Sequence, residues 1–167
     1  MLIKDSYMLF NTNKKESLKT KLLRIGFNLH HSYFRSGGTV SFIASDYTEI
    51  HVKIKYSWLT RNPMRSVFGG LIYASIDPIY VLMFLLILDK KTYIVWDKSA
   101  TIKFIKPIYK SAKARFIITP ELLENIKKEV AANDKSVFEL PVEYVDNHGN
   151  ILVAFTKTIY IAKRKNK

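Results

Sequence analysis

Residues 69–88, GGLIYASIDPIYVLMFLLIL, form an apolar stretch interrupted at its middle by Asp77 and Pro78. In length such a stretch can cross a bilayer. Its uninterrupted part, Ile79 to Leu88, is only ten residues, the length of a buried core helix, and an aspartate near the middle of a span costs roughly 2.5 to 3.5 kcal/mol on insertion scales. Alternating strands downstream also need a helix to cover their apolar face. The spacing therefore predicts a core helix wrapped by a sheet rather than a transmembrane span.

On that helix Gly70, Ala74 and Asp77 share one face, because they are spaced by four and by three. Pro78 removes the hydrogen bond to the carbonyl of Ala74 and loosens the turn that carries the carboxylate. Two readings of Asp77 stand at this point. It caps a second helical segment that starts at Pro78, or it faces a cavity.

The flanking patterns supply the sheet. Residues 14–33 read as an amphipathic helix, with Leu18, Leu22, Leu23 and Ile25 to Phe27 on its apolar side and lysines opposite. Gly37 and Gly38 then break the chain. From Glu49 to Tyr56, Ile50, Val52, Ile54 and Tyr56 alternate with Glu49, His51, Lys53 and Lys55, which predicts a strand with one wet face. The stretch 92–110 reads as a long strand, 111–119 as another, and the residues around Pro107 and Lys110 as a hairpin between them. Thr119 and Pro120 open a short helix with Leu122, Leu123, Ile126 and Val130 on one stripe. Val137 to Val145 and Ile151 to Ala162 form two more strands joined by DNHGN, whose residue types tolerate positive φ. The class is α+β, a largely antiparallel sheet with helices on one face.

Length and composition fit one domain. The chain has 167 residues, 48% of them hydrophobic and 13% aromatic, which argues for a real core and against disorder. With no cysteine there is neither a disulfide framework nor a thiolate metal site. The stretch MLIKDSYMLFNTNKK has too short an apolar part and no small-residue cleavage site, so it does not read as a signal peptide, and the expected compartment is cytoplasmic. The net charge is +13. Lys90 to Arg115 contains eight basic residues and one acid, Asp97, and the last five residues, KRKNK, hold four positive charges. Such runs are usually solvated faces; they also suit a phosphate-bearing small molecule or an anionic membrane surface. Nucleic acid is not expected, since no zinc-finger spacing, RNP-like aromatic string or P-loop is present.

The arrangement Asn62, Phe68, Gly69, Gly70 and Asp77 resembles the signature of hotdog-fold acyl-CoA thioesterases of the phenylacetate-pathway type, in which Asn is followed by His-Gly-Gly and then by a helical Asp. SATIKFIKPIYKSAKARF resembles the strand pair that follows in that family, where an aliphatic strand ends in a proline turn. TRNPMRSVFGGLIYASIDP together with YIVWDKSATIKFIKP is similar to the hotdog branch known as DUF4442, which carries Phe where the thioesterases carry His. The resemblance spans about Val40 to Ala162.

It implies the hotdog fold, a curved antiparallel sheet wrapped around a long central helix, in a single domain with residues 1–39 as an N-terminal helical extension and 163–167 as a basic tail. It also implies a homodimer, possibly a dimer of dimers, with active sites at the subunit interface and no cofactor or metal. Asp77 becomes the candidate base or nucleophile on an acyl thioester, Gly70 the candidate oxyanion donor and Asn62 a residue that orients water or thioester. Phe68, Gly69, Tyr73 and Lys98 are the candidate substrate contacts. The basic run is where the phosphates of coenzyme A would bind. Because Phe68 replaces His, a non-catalytic acyl-CoA or fatty-acyl binding module is the alternative, and dehydration ranks third, since none of the four histidines lies between Gly69 and Asp77.

Other residues carry less. His30 and His31 read as an exposed helix end rather than a metal pair, since cations suit a helix C-terminus. Trp58 and Trp96 read as core or dimer-interface anchors, with acyl-pocket lining as the alternative, Tyr73, Tyr80 and Met83 first as packing, and Asp97 and Lys98 as a pair that meets neighbours on the strand.

Overall fold

A computed structural model describes Phe10 and residues 12–164. The stretch read as lacking a signal peptide and the last three residues of the basic tail therefore fall largely outside the described residues.

Six strands, β1 (Gly38–Ile43), β2 (Glu49–Ile54), β3 (Tyr93–Phe104), β4 (Ala112–Ile117), β5 (Lys135–Val145) and β6 (Ile151–Lys163), form one sheet in the order β1-β2-β4-β5-β6-β3. Every pairing is antiparallel. The predicted apolar segment becomes α3 (Gly69–Ile76) and α4 (Ile79–Ile87), split at Asp77 and Pro78 where the proline cannot donate. Among the described residues, Gly69–Ile87 is long and apolar enough to cross a membrane by length and composition alone. Here its Ile72, Ile76, Ile79, Tyr80, Met83 and Phe84 lie buried in the core.

Polar groups fix this helix against the sheet and against the short helical segment that carries Tyr33. The buried Ser75 hydroxyl meets the Tyr144 hydroxyl at 2.7 Å, Tyr33 donates to the Ser75 carbonyl at 3.0 Å, and Tyr80 donates to the Pro141 carbonyl at 2.8 Å. Each is a satisfied buried group, so none weakens the apolar packing around it.

Thr119 caps α5 (Pro120–Asn133), accepting from the Leu122 amide, and Ile126 and Val130 are buried as their spacing requires. The turn at Asp146–Asn150 also forms as expected, with Gly149 at φ 80° and the Asp146 carboxylate accepting from the amides of His148 and Asn150.

Four expectations are corrected. Gly38–Ile43 is a strand, not a simple break; a bulge between Val40 and Phe42 upsets the alternation that would have revealed it. β3 and β4 are not a hairpin: β3 pairs with β6, while β4 lies between β2 and β5, so the segment around Pro107 is a crossover. The wet face of β2 is covered at its start, where Glu49 and His51 are buried. The helix α1 (Leu18–Leu29) turns Leu23 and Phe27 toward the core and leaves Leu18, Leu22 and Ile25 exposed.

Candidate functional site

On α3 the side opposite Ile72 and Ile76 carries Gly70, Tyr73 and Asp77, and there the chain is open to solvent. Asp77 closes α3 with helical backbone angles, and its side chain is 39% exposed. Facing it from β6 is Lys157, whose side chain is 1% exposed. The Lys157 ammonium donates to Asp77 Oδ1 at 2.7 Å and lies 2.8 Å from Asp97 Oδ1 on β3. It also sits 5.5 Å from the centre of the Tyr73 ring. One buried cation is thus shared by two carboxylates and an aromatic face.

The charges explain one another. Burial works against the Lys157 ammonium, and its hydrogen bonds to Asp77 and Asp97 outweigh that, so its pKa is raised. Burial pushes the Asp97 carboxyl up, with the Asp77 charge adding to it against the pull of Lys157. Burial and a hydrogen bond to Asp77 raise the Tyr73 phenol, which keeps it a donor. A lone buried ammonium would be costly, so the second carboxylate has a physical reason.

Lys157 is the residue that sequence reading missed. It stands in phase with Phe155, Ile159 and Ile161, all buried. A lysine on the apolar phase of a strand is the signal that could have found it.

The glycine end of α3 is a separate place. Seven residues of helix separate Gly70 from Asp77, about 10 Å at 1.5 Å per residue. A cleft of about 310 Å³ opens beside Gly69, lined among others by Asn62, Ser66, Ile72, Phe104 and Lys106. Asn62 and Gly69 therefore share a hollow, and Asp77 is not among its lining residues. Asn62 is also committed locally: its side chain donates to Ser66 Oγ at 3.0 Å and accepts from the Ser66 amide at 3.1 Å.

Each glycine lies under a ring. A Cβ on Gly69 would stand 3.1 Å from Phe104 Cζ, and one on Gly70 2.6 Å from Phe68 Cε1. Phe68 begins α3, half exposed, with its ring folded back over Gly70. Lys98 is exposed at the bulge of β3, next to Asp97. Tyr73 and Asp77 are together; Lys98 neighbours them through Asp97. Trp58 and Trp96 are 75% and 66% exposed, so neither is a core anchor of this chain. His30 and His31 are exposed at the junction of α1 with α2 (His31–Phe34).

A second charged cluster lies under the start of β2. Glu49 Oε1 accepts from His51 Nε2 and from Arg115 Nε, each at 2.7 Å, and Oε2 accepts from Thr12 at 2.9 Å. Phe10 and Phe42 pack on the His51 ring.

An antiparallel sheet wrapped around a helix that carries an acid at its midpoint is the hotdog architecture, and solved structures agree. PA5026 from Pseudomonas aeruginosa, described as a protein of unknown function and probable thioesterase, is similar with a TM-score of 0.77 at 15% identity, over 87% of this chain and 96% of that one. Thioesterase HI1161 from Haemophilus influenzae has a TM-score of 0.64 at 14% identity, over 91% and 96%. Thioesterase superfamily member 2 from Mus musculus has a TM-score of 0.60 at 14% identity, over 87% and 98%. At these identities the likeness shows the hotdog fold. Residues 19–161 match the family described as Domain of unknown function (DUF4442), and the chain belongs to that family. No curated protein matches the sequence.

Proposed function

We propose that this hotdog domain is an acyl-CoA thioesterase that works as a homodimer, with Asp77 of one copy facing Gly70 and Asn62 of the other. The observation that carries the reading is the half-exposed Asp77 carboxylate, anchored through one oxygen by the buried Lys157 at 2.7 Å. Anchoring one oxygen leaves the carboxylate with a fixed direction, as a base or nucleophile needs.

Within one chain a thioester carbonyl cannot reach both the Gly70 amide and Asp77 across about 10 Å of helix. A second copy supplies the missing half. Among the described residues the sheet ends in β3, twelve residues long, with no further strand beyond it and with Trp96 exposed. An edge of that length suits pairing with its own copy.

In the reaction Asp77 takes a proton from water as the water oxygen attacks the thioester carbon; the oxyanion is met by first-turn amides of α3, and collapse releases the thiolate and the carboxylic acid. As a nucleophile it attacks the thioester carbon instead, the C–S bond breaks to release the thiolate, and water opens the resulting anhydride to the carboxylic acid and free Asp77. Tyr73 and Lys157 hold the carboxylate, and the phosphates of coenzyme A are received by the exposed Lys98 and by Lys106 at the Gly69 cleft.

A second reading, acyl-thioester binding without turnover, is favoured by Phe68, whose ring covers Gly70 where a carbonyl would approach. One experiment separates the two. Purified protein is assayed for thiol release over a panel of acyl-CoAs, beside Asp77→Asn. Turnover that falls by about 10² to 10⁴ in the variant supports the enzyme, since a positioned base contributes that much. Equal inertness of both proteins, with acyl-CoA binding still seen by calorimetry, supports the module.

A further inference from the structure

We propose that α1 docks this protein onto anionic membrane surfaces through an apolar ridge that faces away from the core. Leu18, Leu22, Ile25 and Leu29 are 74%, 61%, 50% and 69% exposed. Their spacing of four, three and four aligns them along one line of the helix. The opposite side already satisfies the fold: Thr20 is buried, and Leu23 and Phe27 pack on the core. The helix thus has a second apolar face that none of the described residues buries.

This ridge is held firmly. Ser17 and Thr20 form a capping box at its start. Near its end Asn28 donates to the Val40 carbonyl and accepts from the Val40 amide, both at 2.8 Å. Glu16 accepts from the Ile43 amide at 3.0 Å and from Arg24 at 2.9 Å. Four large aliphatic side chains are therefore displayed on a fixed rod.

Charge decides what covers them. Between Lys14 and Arg35 the chain has six lysines and arginines and one acid, Glu16, which is spent on Arg24 and Ile43. Lys19 and Lys21 lie on either flank of the ridge, about 90° and 70° from its middle at 100° per residue. The next segment adds exposed Phe34, 68% accessible, and Arg35. An apolar stripe between cationic flanks is what an anionic bilayer surface meets best: acyl chains receive the ridge while phosphates receive the lysines.

A second copy of the chain fits less well. The spacing is also that of a coiled-coil seam, but α1 is 12 residues, under two heptads. Pairing two such seams would set Lys19 and Lys21 of each copy around the same contact. Like charges there oppose association. This inference does not rest on the thioesterase reading.

The test is flotation of the full chain with vesicles of phosphatidylcholine alone or with about 30% phosphatidylglycerol, at about 0.05 M and 0.5 M salt. Two double variants accompany it. Leu22→Gln with Ile25→Gln shortens the ridge without changing charge, and Lys19→Gln with Lys21→Gln removes charge without touching the ridge. All four positions are exposed, and Lys19 gives up only a surface contact with the Tyr47 ring at 5.9 Å, so circular dichroism should be unchanged and the thermal midpoint nearly so. Binding to anionic vesicles only, reduced at least about tenfold by high salt and by the ridge variant, and several-fold by the charge variant, is the expected result. Binding by the ridge variant equal to wild type overturns the proposal in favour of the other basic segments. No flotation overturns it outright. A larger assembly by analytical ultracentrifugation without lipid, lost in the ridge variant, overturns it in favour of self-association.

Discussion

Lys157 Nζ lies 2.7 Å from Asp77 Oδ1, and of the two side chains it is the lysine, 1% exposed, that is sealed away while the acid reaches solvent. The usual order of a surface ion pair is inverted. The cation serves as a buried anchor, and Asp97 at 2.8 Å shares it. Asp77 is thereby tied to the sheet at the point where Pro78 breaks the helix.

Removing the anchor should leave two carboxylates facing each other. Breaking a fully buried pair costs about 3 to 5 kcal/mol; Asp77 and Asp97 are 39% and 29% exposed and can take up water, so Lys157→Met is expected to cost nearer about 2 kcal/mol. Burial already raises Asp97. Without the cation it protonates more readily in the folded state than in the unfolded one, so lowering pH should narrow the gap from wild type. Urea unfolding at pH 7 and near pH 5 measures both effects, and Lys157→Met with Asp97→Asn should recover part of the loss.

Asp97 and Asp77 should separate in kinetics. Asp97 touches only Lys157 in this cluster, so Asp97→Asn should lower kcat by less than about tenfold and leave KM unchanged, whereas Asp77→Asn removes the proposed base and about 10² or more of the rate. Equal losses in the two variants would show the pair acting only as structure. Steady-state rates on the best acyl-CoA found in the panel decide it.

How far the residues announced this arrangement differs from place to place. The Asp77 break was legible because proline chemistry is local, and α5 because Thr119 and Pro120 mark its start without help from the rest of the fold. The β3 to β4 connection was not, because strand pairing is non-local: β3 crosses the molecule to β6 instead of turning back on its neighbour in sequence. Strand β1 was hidden by its own bulge at Val40 and Phe42. The buried Glu49 and His51 could not be seen in a strand that alternates, since what covers them is Thr12, Phe10 and Phe42, contributed from elsewhere. Lys157 stands in the apolar phase of β6, but a lysine on a strand is ordinarily solvated, and the carboxylates that hold this one come from α3 and β3.

Gly70 tests whether small size there serves a carbonyl or a ring. In Gly70→Ala the new Cβ falls 2.6 Å from Phe68 Cε1, and the half-exposed Phe68 ring must swing away. Stability should change by less than about 1 kcal/mol, because the ring is free to move. Activity should fall by about 10², the size of a lost oxyanion donor, because the amide stays but the new Cβ keeps the thioester carbonyl from reaching it. Phe68→Ala with Gly70→Ala should stay equally slow. Recovery of rate in that double variant would assign the glycine to packing under Phe68.

The Glu49 and His51 cluster should make stability fall in two steps on acidification. Burial, aided by the charges of Arg115 and Lys113, holds His51 below its ordinary 6.5 despite the pull of Glu49. A histidine lowered on folding stabilises the protein above pH 6.5, and that contribution is lost as pH falls through 6.5 toward its folded value, because the unfolded chain binds the proton first. Burial raises Glu49, but hydrogen bonds from Arg115, His51 and Thr12 outweigh it and hold the carboxyl below its ordinary 4.5, so its contribution is lost only below pH 4.5. Urea midpoints from pH 8 to pH 5.5 should slope downward for wild type. His51→Gln should flatten that slope and leave the lower step in place.

The dimer makes the last demand, and it falls on β3. If this edge pairs with a second copy, Trp96, 66% exposed in one chain, moves into an interface where an aromatic anchor contributes much of the affinity. Trp96→Glu puts a charge there and should raise the dissociation constant by at least about 100-fold, the loss of a typical hot spot. The separated chains should keep their fold, since this side chain contributes nothing to the core. Their thioesterase activity should nevertheless disappear, because Asp77 would then lack the Gly70 amide of another copy. Sedimentation velocity and the acyl-CoA assay on one preparation read both effects, and a monomer with full activity would refute the shared site.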